Sequence, residues 1–431
     1  MSAVATGRHV HVHGGTLAGI AAALRLARAG HRVTLDPAGP LGGPVDDLEP
    51  VLALPAAWRD LMKKSGGHLV TALNAHHLEL VPAPPATHRW SDGTEVTLPD
   101  DRAGQTAALR AVFGEAAAQR WTTLLDQVDD VWQALRLTCV ERPWPSGGPS
   151  LEQAKALMRG RTLGQLADQL DDPRLAALLL SHGRRAGASD PRQAPAWLAT
   201  RATVQRTFGR WQLVGADTST DPTAHAMDAL VTVLTDRLAE RGVELEAGGA
   251  GADARIDAVA PAPTRPPLGA WARFTDSVRR TVGHQPGPVT SVRPPHISHD
   301  VHADLDVEPG SIRETVFHTE GGVVVGWQRA TPAGVLVTSH DHTRPGDPDP
   351  AFGWDLSHWD HWAARPPIEP AHPAGPWRAS SASHAGNEPW AQVLSAALAT
   401  YQVHERLTGA DIRPTNKATT THRPRGTFAP G

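Results

Sequence analysis

The chain has 431 residues, and 40% of them are hydrophobic, which is enough for one large domain or two interleaved ones. Its 41 basic and 45 acidic residues give a net charge of −4, which favours no nucleic-acid partner. No run of 18 apolar residues exists, which excludes a membrane-spanning helix. The single Cys139 excludes an intrachain disulfide, a cysteine-rich zinc site and a CxxC pair. The N-terminus lacks the residue order of a secretory signal, so we expect a cytoplasmic protein.

The first forty residues predict a strand, a tight turn, a helix and a second strand. RHVHVH (8–13) forms the first strand, GGTLAG (14–19) the turn, and residues 17–29 a helix rich in small side chains. The second strand, residues 33–36, ends at Asp36. This order is the dinucleotide-binding fingerprint, in which a helix N-terminus binds phosphate and an acidic residue binds a ribose.

One position of the turn departs from the fingerprint. Gly14 allows the tight turn and Gly19 allows close helix packing, but Thr16 replaces the middle glycine. Its side chain takes room from a diphosphate, although its hydroxyl can donate to a phosphate. A βαβ unit without a ligand is the alternative. The predicted contacts to a dinucleotide are Gly14, Gly15, Thr16, Leu17, Ala18, Gly19 and Asp36.

Histidine is frequent, with 23 residues, and it occurs in clusters. Each cluster is compatible with a metal or haem site, or with hydrogen-bonded core and stacked loop histidines. No HExxH motif and no cysteine ligand accompanies them, and we assign no metal ligand. The clusters are His9, His11 and His13; His296, His299 and His302; His340 and His342; and His358 and His361.

The segments after Asp36 have a characteristic order. Gly42 and Gly43 stand six and seven residues beyond the acid. There follow a helix (55–66), a hairpin with a DG turn (88–101), a helical region (161–197), a strand and helix (204–245) and a last helix within 380–407. In this order and spacing, the chain resembles the bacterial phytoene desaturase-like flavoproteins of the FAD-dependent amine-oxidase group. The resemblance covers most of residues 8–260 and 376–408.

The resemblance implies an α/β fold, in which a Rossmann-like FAD-binding domain with a parallel sheet carries an inserted α+β substrate domain with an antiparallel sheet. The expected FAD-binding domain comprises residues 1–85, 205–265 and 370–410, the substrate domain 86–204 and 266–369, and an extended tail 411–431. The resemblance further implies that FAD contacts Gly42, Gly43, Gly215, Ser381 and Gly386.

Residues 310–342 alternate apolar and polar side chains around turn glycines, which predicts antiparallel strands at 315–318, 322–329 and 334–339. Amphipathic helices are predicted over 105–137 and 151–181. In the resembled family such a sheet forms the floor of the substrate site. We therefore predict three catalytic residues: Trp327 and His340 facing a substrate, and His384 near the flavin.

Several glycines of the resembled family are replaced here. Pro40 stands where the family usually has arginine, only Gly215 remains of a glycine pair, and residues 379–381 read Ala-Ser-Ser instead of a glycine-containing pair. FAD phosphates need close backbone contacts that side chains obstruct. The first function left open is an FAD-dependent oxidoreductase, desaturase- or dehydrogenase-like, acting on a largely apolar small molecule, with secondary metabolism as one setting.

The second function left open is that of a flavin-fold protein without FAD. Such a protein would act as a cofactor-independent enzyme, a binding protein or a partner subunit in a homo- or hetero-oligomer. A metal- or haem-dependent enzyme on the same scaffold is the third. Fold alone does not choose among them.

Overall fold

The computed structural model describes residues 7–216, 224–263 and 288–414. Their strands are β1 (His9–His13), β2 (Arg32–Asp36), β3 (Leu52–Ala53), β4 (Leu78–Pro82), β5 (Ala86–Trp90), β6 (Glu95–Leu98), β7 (Arg210–Gly215), β8 (Ala224–His225), β9 (Glu244–Leu245), β10 (Ala254–Asp257), β11 (His296–His302), β12 (Ile312–Thr319), β13 (Gly322–Thr331), β14 (Gly334–Asp341) and β15 (Trp377–Arg378).

The helices in the same ranges are α1 (Leu17–Arg28), α2 (Pro55–Lys64), α3 (Leu69–Ala75), α4 (Arg102–Phe113), α5 (Glu115–Leu135), α6 (Leu151–Ala156), α7 (Leu163–Asp168), α8 (Pro173–Arg185), α9 (Thr200–Phe208), α10 (Met227–Glu240), α11 (Trp359–Ala363) and α12 (Pro389–Thr408). None of them combines the length and hydropathy that a membrane crossing requires.

A parallel five-stranded sheet contains the predicted βαβ unit. Its strand order is β15-β10-β1-β2-β9, so β1 lies in the centre with β10 and β2 as neighbours. Val10 and Val12 of β1 are fully buried, as expected for a central parallel strand. α1 packs on this sheet through alanines, and α12 packs beside α1 in the same core. The expected Rossmann-like parallel sheet is therefore confirmed.

A six-stranded sheet contains the three strands predicted within residues 310–342. Its order is β11-β14-β13-β12-β5-β6, and every pair is antiparallel except β12 with β5. β12, β13 and β14 match the predicted strands and extend two or three residues beyond several of their ends. A smaller antiparallel sheet joins β3, β7 and β4. The predicted antiparallel sheet is confirmed.

The two long predicted helices are divided in the structure. Gly114, with φ of +83°, separates α4 from α5 within the segment predicted as one helix. The segment 151–181 forms α6, α7 and α8 instead of one helix. Ser150 and Thr162 each form a capping box that starts a new helix, and Asp172 caps α8. Amphipathic periodicity alone therefore overstated the length of these helices.

The division into two domains stays a prediction. The strands of the parallel sheet come from residues 9–36, 244–257 and 377–378, and most strands of the six-stranded sheet come from residues 296–341. Within the predicted tail 411–431, only 411–414 belong to the described residues.

Gly19 tests the packing of α1 on the parallel sheet. A Cβ atom at this position would lie 1.8 Å from the Gly14 carbonyl oxygen, so the helix or the turn would have to move. We expect Gly19→Ala to lower the free energy of unfolding by about 3 kcal/mol, measured by urea denaturation. Gly39→Ala is the matched control because no atom lies within 4 Å of its Cβ position. Equal stability of the two variants would contradict the close contact.

Candidate functional site

The turn after β1 is held tightly at the carboxyl end of the parallel sheet. Gly14 N–H donates to the Asp36 carbonyl at 2.7 Å, and Gly15 N–H donates to the Pro37 carbonyl at 2.6 Å. Gly14 has φ of +106°, and a Cβ there would lie 2.8 Å from Val259 Cγ2. These glycines therefore serve the tight turn that the fingerprint predicts.

Thr16 uses its hydroxyl inside the protein. As the N-cap of α1, Thr16 Oγ1 accepts a hydrogen bond from Gly19 N–H at 3.2 Å and donates to the Ala258 carbonyl at 3.0 Å. The hydroxyl donation to a phosphate considered from the sequence is therefore not available in this rotamer. Leu17 and Ala18, the first helical residues, are only 1% and 0% exposed.

The predicted ribose acid and the following glycine pair adjoin this turn. Asp36 Oδ1 accepts a hydrogen bond from Ala38 N–H at 3.1 Å, which orients the carboxylate at the end of β2. Gly42 N–H donates to the Gly15 carbonyl at 2.7 Å, and Gly42 and Gly43 both have positive φ. The loop from Asp36 to Gly43 thus folds back onto the turn.

The remaining predicted cofactor contacts are Gly215, Ser381 and Gly386. Gly215 ends β7 and pairs with Leu78 in the small sheet. Ser381 is buried and donates its hydroxyl to the Ala351 carbonyl. Gly386 has φ of +112° and lines a small space of about 30 Å³ beside the main cavity. Thr16 and Gly42 line the main cavity, whereas these three residues are not among its lining residues in the described ranges.

A central cavity of about 330 Å³ begins at the turn. This volume lies at the lower end of the range for small-molecule sites. Thr16 and Gly42 form one boundary, the N-terminus of α12 forms another, and β14 contributes His340. Much of the wall is apolar. The apolar side chains include Leu48, Val51, Leu52, Ala53, Trp58, Ala186, Ala188, Val292, Phe352 and Trp390.

A continuous series of alternating acidic and basic side chains reaches the cavity wall at Arg185, Glu49, Arg201 and Glu388; we call it the ion chain. Its members, in spatial order, are Asp100, Arg210, Glu314, Arg185, Glu49, Arg201 and Glu388. Successive members are 2.5 to 3.0 Å apart. The side chains of Arg185 and Glu314 are only 3% and 2% exposed. The ion chain therefore connects the loop after β6, β7, β12, α8, the loop before β3, α9 and the N-cap of α12.

The charges in the ion chain stabilise one another. Burial opposes the ionisation of Glu314, but Arg185 and Arg210 outweigh it and lower the pKa of this carboxyl. Burial likewise opposes ionisation of Glu49, and Arg185 and Arg201 hold its pKa far below the usual range. For Arg185, burial favours the neutral form, yet the two glutamates raise its pKa. All three groups are therefore charged at neutral pH.

His340 and Trp327, two of the three predicted catalytic residues, lie in contact. The His340 ring lies 4.7 Å from the Trp327 ring, edge to face, and His340 lines the cavity. Burial lowers the pKa of His340 to about 4. Trp327 is 1% exposed and lies behind His340, with Arg185 above its ring at 5.8 Å. His340 is thus placed for contact with a ligand, and Trp327 supports it.

His384, the third predicted catalytic residue, packs in a tryptophan cluster instead of lining the cavity. Its ring stacks on Trp144 at 4.3 Å, and its carbonyl accepts a hydrogen bond from Trp362 Nε1 at 2.8 Å. Burial lowers the pKa of His384 to about 3. Its catalytic role stays a prediction without support from this position.

The loop that contains His384 is held from inside by Arg365. The guanidinium donates to the Ser383 carbonyl and the Asn387 amide oxygen, each at 2.6 Å, and also to the Trp354 carbonyl. Burial lowers the pKa of Arg365 to about 9. Hydrogen bonds from Arg365 therefore hold this loop against the residues around it.

The histidines of β1 are hydrogen-bonded within the sheet. His9 and His11 both contact Thr34 Oγ1, at 3.0 and 3.1 Å, and His13 lies 3.4 Å from Asp257. Across the described residues, no three His, Cys, Asp or Glu side chains are arranged to hold a metal ion. The clusters therefore give no support to the metal alternative in this part of the chain.

Sequence reasoning missed the ion chain, and it named His342 only as a member of a histidine cluster. Arg184-Arg185 and Glu49 appear in the sequence as ordinary charged residues near a helix end and in a loop. Charge pairing across more than a hundred residues leaves no periodic pattern. For His342, the only signal was its alternation with His340, which placed both on one face of β14 or its extension. Both side chains line the cavity.

Comparisons with known proteins place these features in context. No protein-family model matches the chain. Over 226 residues it is 29% identical to hydroxyneurosporene desaturase of Rhodobacter capsulatus, covering 47% of this chain and 44% of that protein. Over 129 residues it is 35% identical to hydroxyneurosporene desaturase of Cereibacter sphaeroides, covering 27% of this chain and 25% of that protein. The chain is a distant homologue of these desaturases, and the aligned parts span less than half the length of either.

Solved structures extend the likeness over nearly the whole chain. Cyclohexylamine oxidase from Brevibacterium oxydans IH-35A has a TM-score of 0.55 at 13% identity, covering 93% of this chain and 99% of that one. Putrescine oxidase bound to putrescine has a TM-score of 0.53 at 15% identity, covering 92% of this chain and 99% of that one. At these identities the likeness establishes the fold. The resemblance to phytoene desaturase-like and amine-oxidase-group proteins is confirmed at that level.

The ion chain gives a stability prediction. Arg185→Met leaves Glu49 and Glu314 without one of their partners in a buried site, so we expect a loss of about 3–5 kcal/mol in the free energy of unfolding. Arg89→Met is the control, because the Arg89–Glu95 pair is half-exposed and such pairs contribute about 0–1 kcal/mol. Urea denaturation measures both. If Arg185→Met lowers the free energy of unfolding by less than about 1 kcal/mol, the ion chain does not have the structural role described.

The buried histidines predict a loss of stability in mild acid. The unfolded chain protonates histidine near the usual pKa of 6.5, whereas folded His384 has a pKa of about 3. The contribution of His384 to the free energy of unfolding is therefore fully present above pH 6.5. It is lost as the pH falls toward the pKa of the folded residue. Between pH 7 and 5 this amounts to about 2 kcal/mol.

His384→Phe keeps a ring against Trp144 but removes the titration. We expect the difference in unfolding free energy between pH 7 and pH 5 to shrink by about 2 kcal/mol. Urea denaturation at the two pH values measures this difference. The control, His302→Phe, changes an exposed residue of β11 and should keep the wild-type difference. An unchanged difference in His384→Phe would refute the assignment.

Proposed function

We propose that the protein is an FAD-dependent oxidoreductase, desaturase- or dehydrogenase-like, that acts on a largely apolar small molecule. The observation that carries the proposal is the continuity between the dinucleotide turn and a cavity with a largely apolar wall. Distant homology to hydroxyneurosporene desaturases and the amine-oxidase fold support it. The proposal includes the domain division, cytoplasmic location and a role in secondary metabolism expected from the sequence.

The residues around the turn fit an adenine dinucleotide. Asp36 stands at the end of β2, where its carboxylate would accept hydrogen bonds from ribose hydroxyls. The first turn of α1 carries no acidic side chain that would repel a diphosphate. Gly42 and Gly43 present no side chain where the adjoining loop meets the turn. These residues would hold the cofactor at the carboxyl end of the sheet.

Bound FAD would supply hydride acceptance, and the protein would supply binding, orientation and a dry environment. Trp58, Leu52 and Trp390 line the cavity and would exclude water from an apolar substrate. His340 is neutral at pH 7 and faces the same space, so it would position a polar group of the substrate without adding a charge.

A second function is favoured by a specific observation, the closed state of the phosphate turn. Thr16 already caps α1, and Leu17 and Ala18 are buried. A diphosphate would need access to these N–H groups. A flavin-fold protein that has lost FAD, acting as a cofactor-independent enzyme, binding protein or partner subunit, would have such a turn.

Incubation with FAD distinguishes the two functions. After removal of free FAD by gel filtration, the first function predicts one FAD per chain, seen as visible flavin absorption that is released on denaturation. A colourless protein, with no heat of FAD binding in calorimetry, would reject the first function and favour the second.

Asp36→Ala tests the assignment of the ribose acid. We expect FAD affinity to fall by roughly tenfold or more, because hydrogen bonds to a charged carboxylate are lost. Quenching of flavin fluorescence on titration with protein measures the dissociation constant. Asp46→Ala removes an exposed carboxylate ten residues further on and should leave affinity unchanged. If the two variants have the same affinity, Asp36 does not bind the ribose.

A further inference from the structure

β11 is an edge strand of the six-stranded sheet, and one of its two sides is open. It pairs with β14 at every position from His296 to His302, and across the described residues no second strand pairs with it. The hydrogen bonds of an antiparallel strand alternate between its two sides, so about half of the N–H and C=O groups of β11 point away from β14. Residues 299–302 are exposed, and Val301 is 56% exposed. This edge can therefore accept another strand.

The opposite edge of the same sheet is protected, whereas β11 is not. β6 has only four residues, α4 packs against it, and Glu95 forms an ion pair with Arg89 of β5. Proteins usually protect edge strands by short length, lysine, proline, a bulge or a covering element. Between His296 and His302 there is no lysine or proline, and the uninterrupted register with β14 leaves no bulge. An edge of this kind favours pairing with another chain.

The sequence of β11, HISHDVH, reads almost the same in both directions from His299. Two copies that pair antiparallel about a two-fold axis at His299 therefore bring similar or complementary side chains together. The opposing residues of the two copies are Ile297 with Val301, Ser298 with Asp300, and His296 with His302. Each apolar pair joins two β-branched side chains, each serine hydroxyl can donate to the carboxylate that faces it, and each imidazole pair can share one hydrogen bond. The strand is thus complementary to a second copy of itself.

One register of this pair avoids both opposed like charges and proline. An axis one residue further along the chain would place the two Asp300 carboxylates opposite each other, which is destabilising. An axis one residue earlier would bring Pro294 and Pro295 opposite His302 and Val301, although proline has no N–H to donate. Larger shifts would pair fewer of the seven residues of β11. The sequence therefore selects the axis at His299.

We propose that the chain forms a homodimer in which two β11 strands pair antiparallel about a two-fold axis at His299. The two six-stranded sheets then form one continuous sheet, in the two-fold symmetry that is commonest among homodimers. This inference does not depend on FAD binding or on the proposed reaction. Seven residues from each copy make a small interface, so we expect a weak dimer, with a dissociation constant of about 1–100 µM.

Sedimentation velocity over roughly 1–500 µM, a range that includes the expected dissociation constant, tests the dimer. Val301→Lys removes both apolar pairs and adds the residue that commonly protects edge strands, so we expect the dissociation constant to rise at least about tenfold. Val70→Lys is the matched control, because Val70 is 65% exposed and lies in α3. A wild-type chain that stays monomeric would overturn the proposal and leave the edge to a different protein. Equal association of Val301→Lys and the wild type would also overturn it.

A charge exchange tests the register. Ser298→Asp places two carboxylates opposite each other in both Ser298–Asp300 pairs, so we expect association to weaken by about fivefold or more. The double variant Ser298→Asp with Asp300→Ser restores one carboxylate and one hydroxyl in each pair, and its dissociation constant should return to the wild-type value. A double variant as weak as Ser298→Asp, or a single variant as tight as the wild type, would show that these residues do not oppose each other.

Disulfide trapping locates the axis, with little background because the single Cys139 is only 3% exposed. In the proposed dimer the two Cβ atoms at position 299 lie about 4.5–5.5 Å apart, which is close enough for a cross-strand disulfide after a small shift. The two positions 302 lie about 20 Å apart, because each faces position 296. Mild oxidation should therefore give a covalent dimer of His299→Cys and not of His302→Cys. Equal cross-linking of the two variants, or none of His299→Cys, would refute the axis. If His299→Cys does not fold, the charge exchange still decides.

Discussion

The ion chain is the interaction on which the arrangement of this molecule depends. Removing a charge from water costs several kcal/mol, and only a well-placed partner recovers that cost. In the ion chain, whose two end members are Asp100 and Glu388, each arginine side chain lies between two carboxylates. Its members belong to separate strands, helices and loops, so all of them must be in place together. The relative positions of the six-stranded sheet, the small sheet, α8, α9 and α12 are fixed by this requirement.

The chemical character of the central cavity follows from its position beside this chain. Glu49 and Arg201 belong both to the chain and to the cavity wall. Part of the cavity wall therefore carries polar groups held in fixed orientations, while tryptophan and aliphatic side chains line other parts of it. Preorganised polar groups in a space with little water interact more strongly with a ligand than the same groups in solvent. The wall thus combines orientation with desolvation.

Local sequence patterns predicted much of the fold and less of the site. The βαβ unit, the DG hairpin and β12 to β14 could be found because turn glycines and alternation act over a few residues. Helix boundaries were missed at Gly114 and Thr162, where turn and capping chemistry overrides amphipathic periodicity. The pairing of Glu314 with Arg185 links positions 129 residues apart, which no short-range pattern encodes. For His384, the loop sequence does not show that its ring packs on Trp144, and its catalytic role stays a prediction.

The threonine at the start of α1 has a consequence for how the helix is capped. A glycine at that position leaves the first helical turn dependent on an anion or water for its N–H groups, whereas Thr16 satisfies Gly19 N–H by itself. The helix and its sheet can therefore persist whether the crevice is filled or empty. A diphosphate at this turn is therefore not needed to satisfy the Gly19 N–H at the start of the helix.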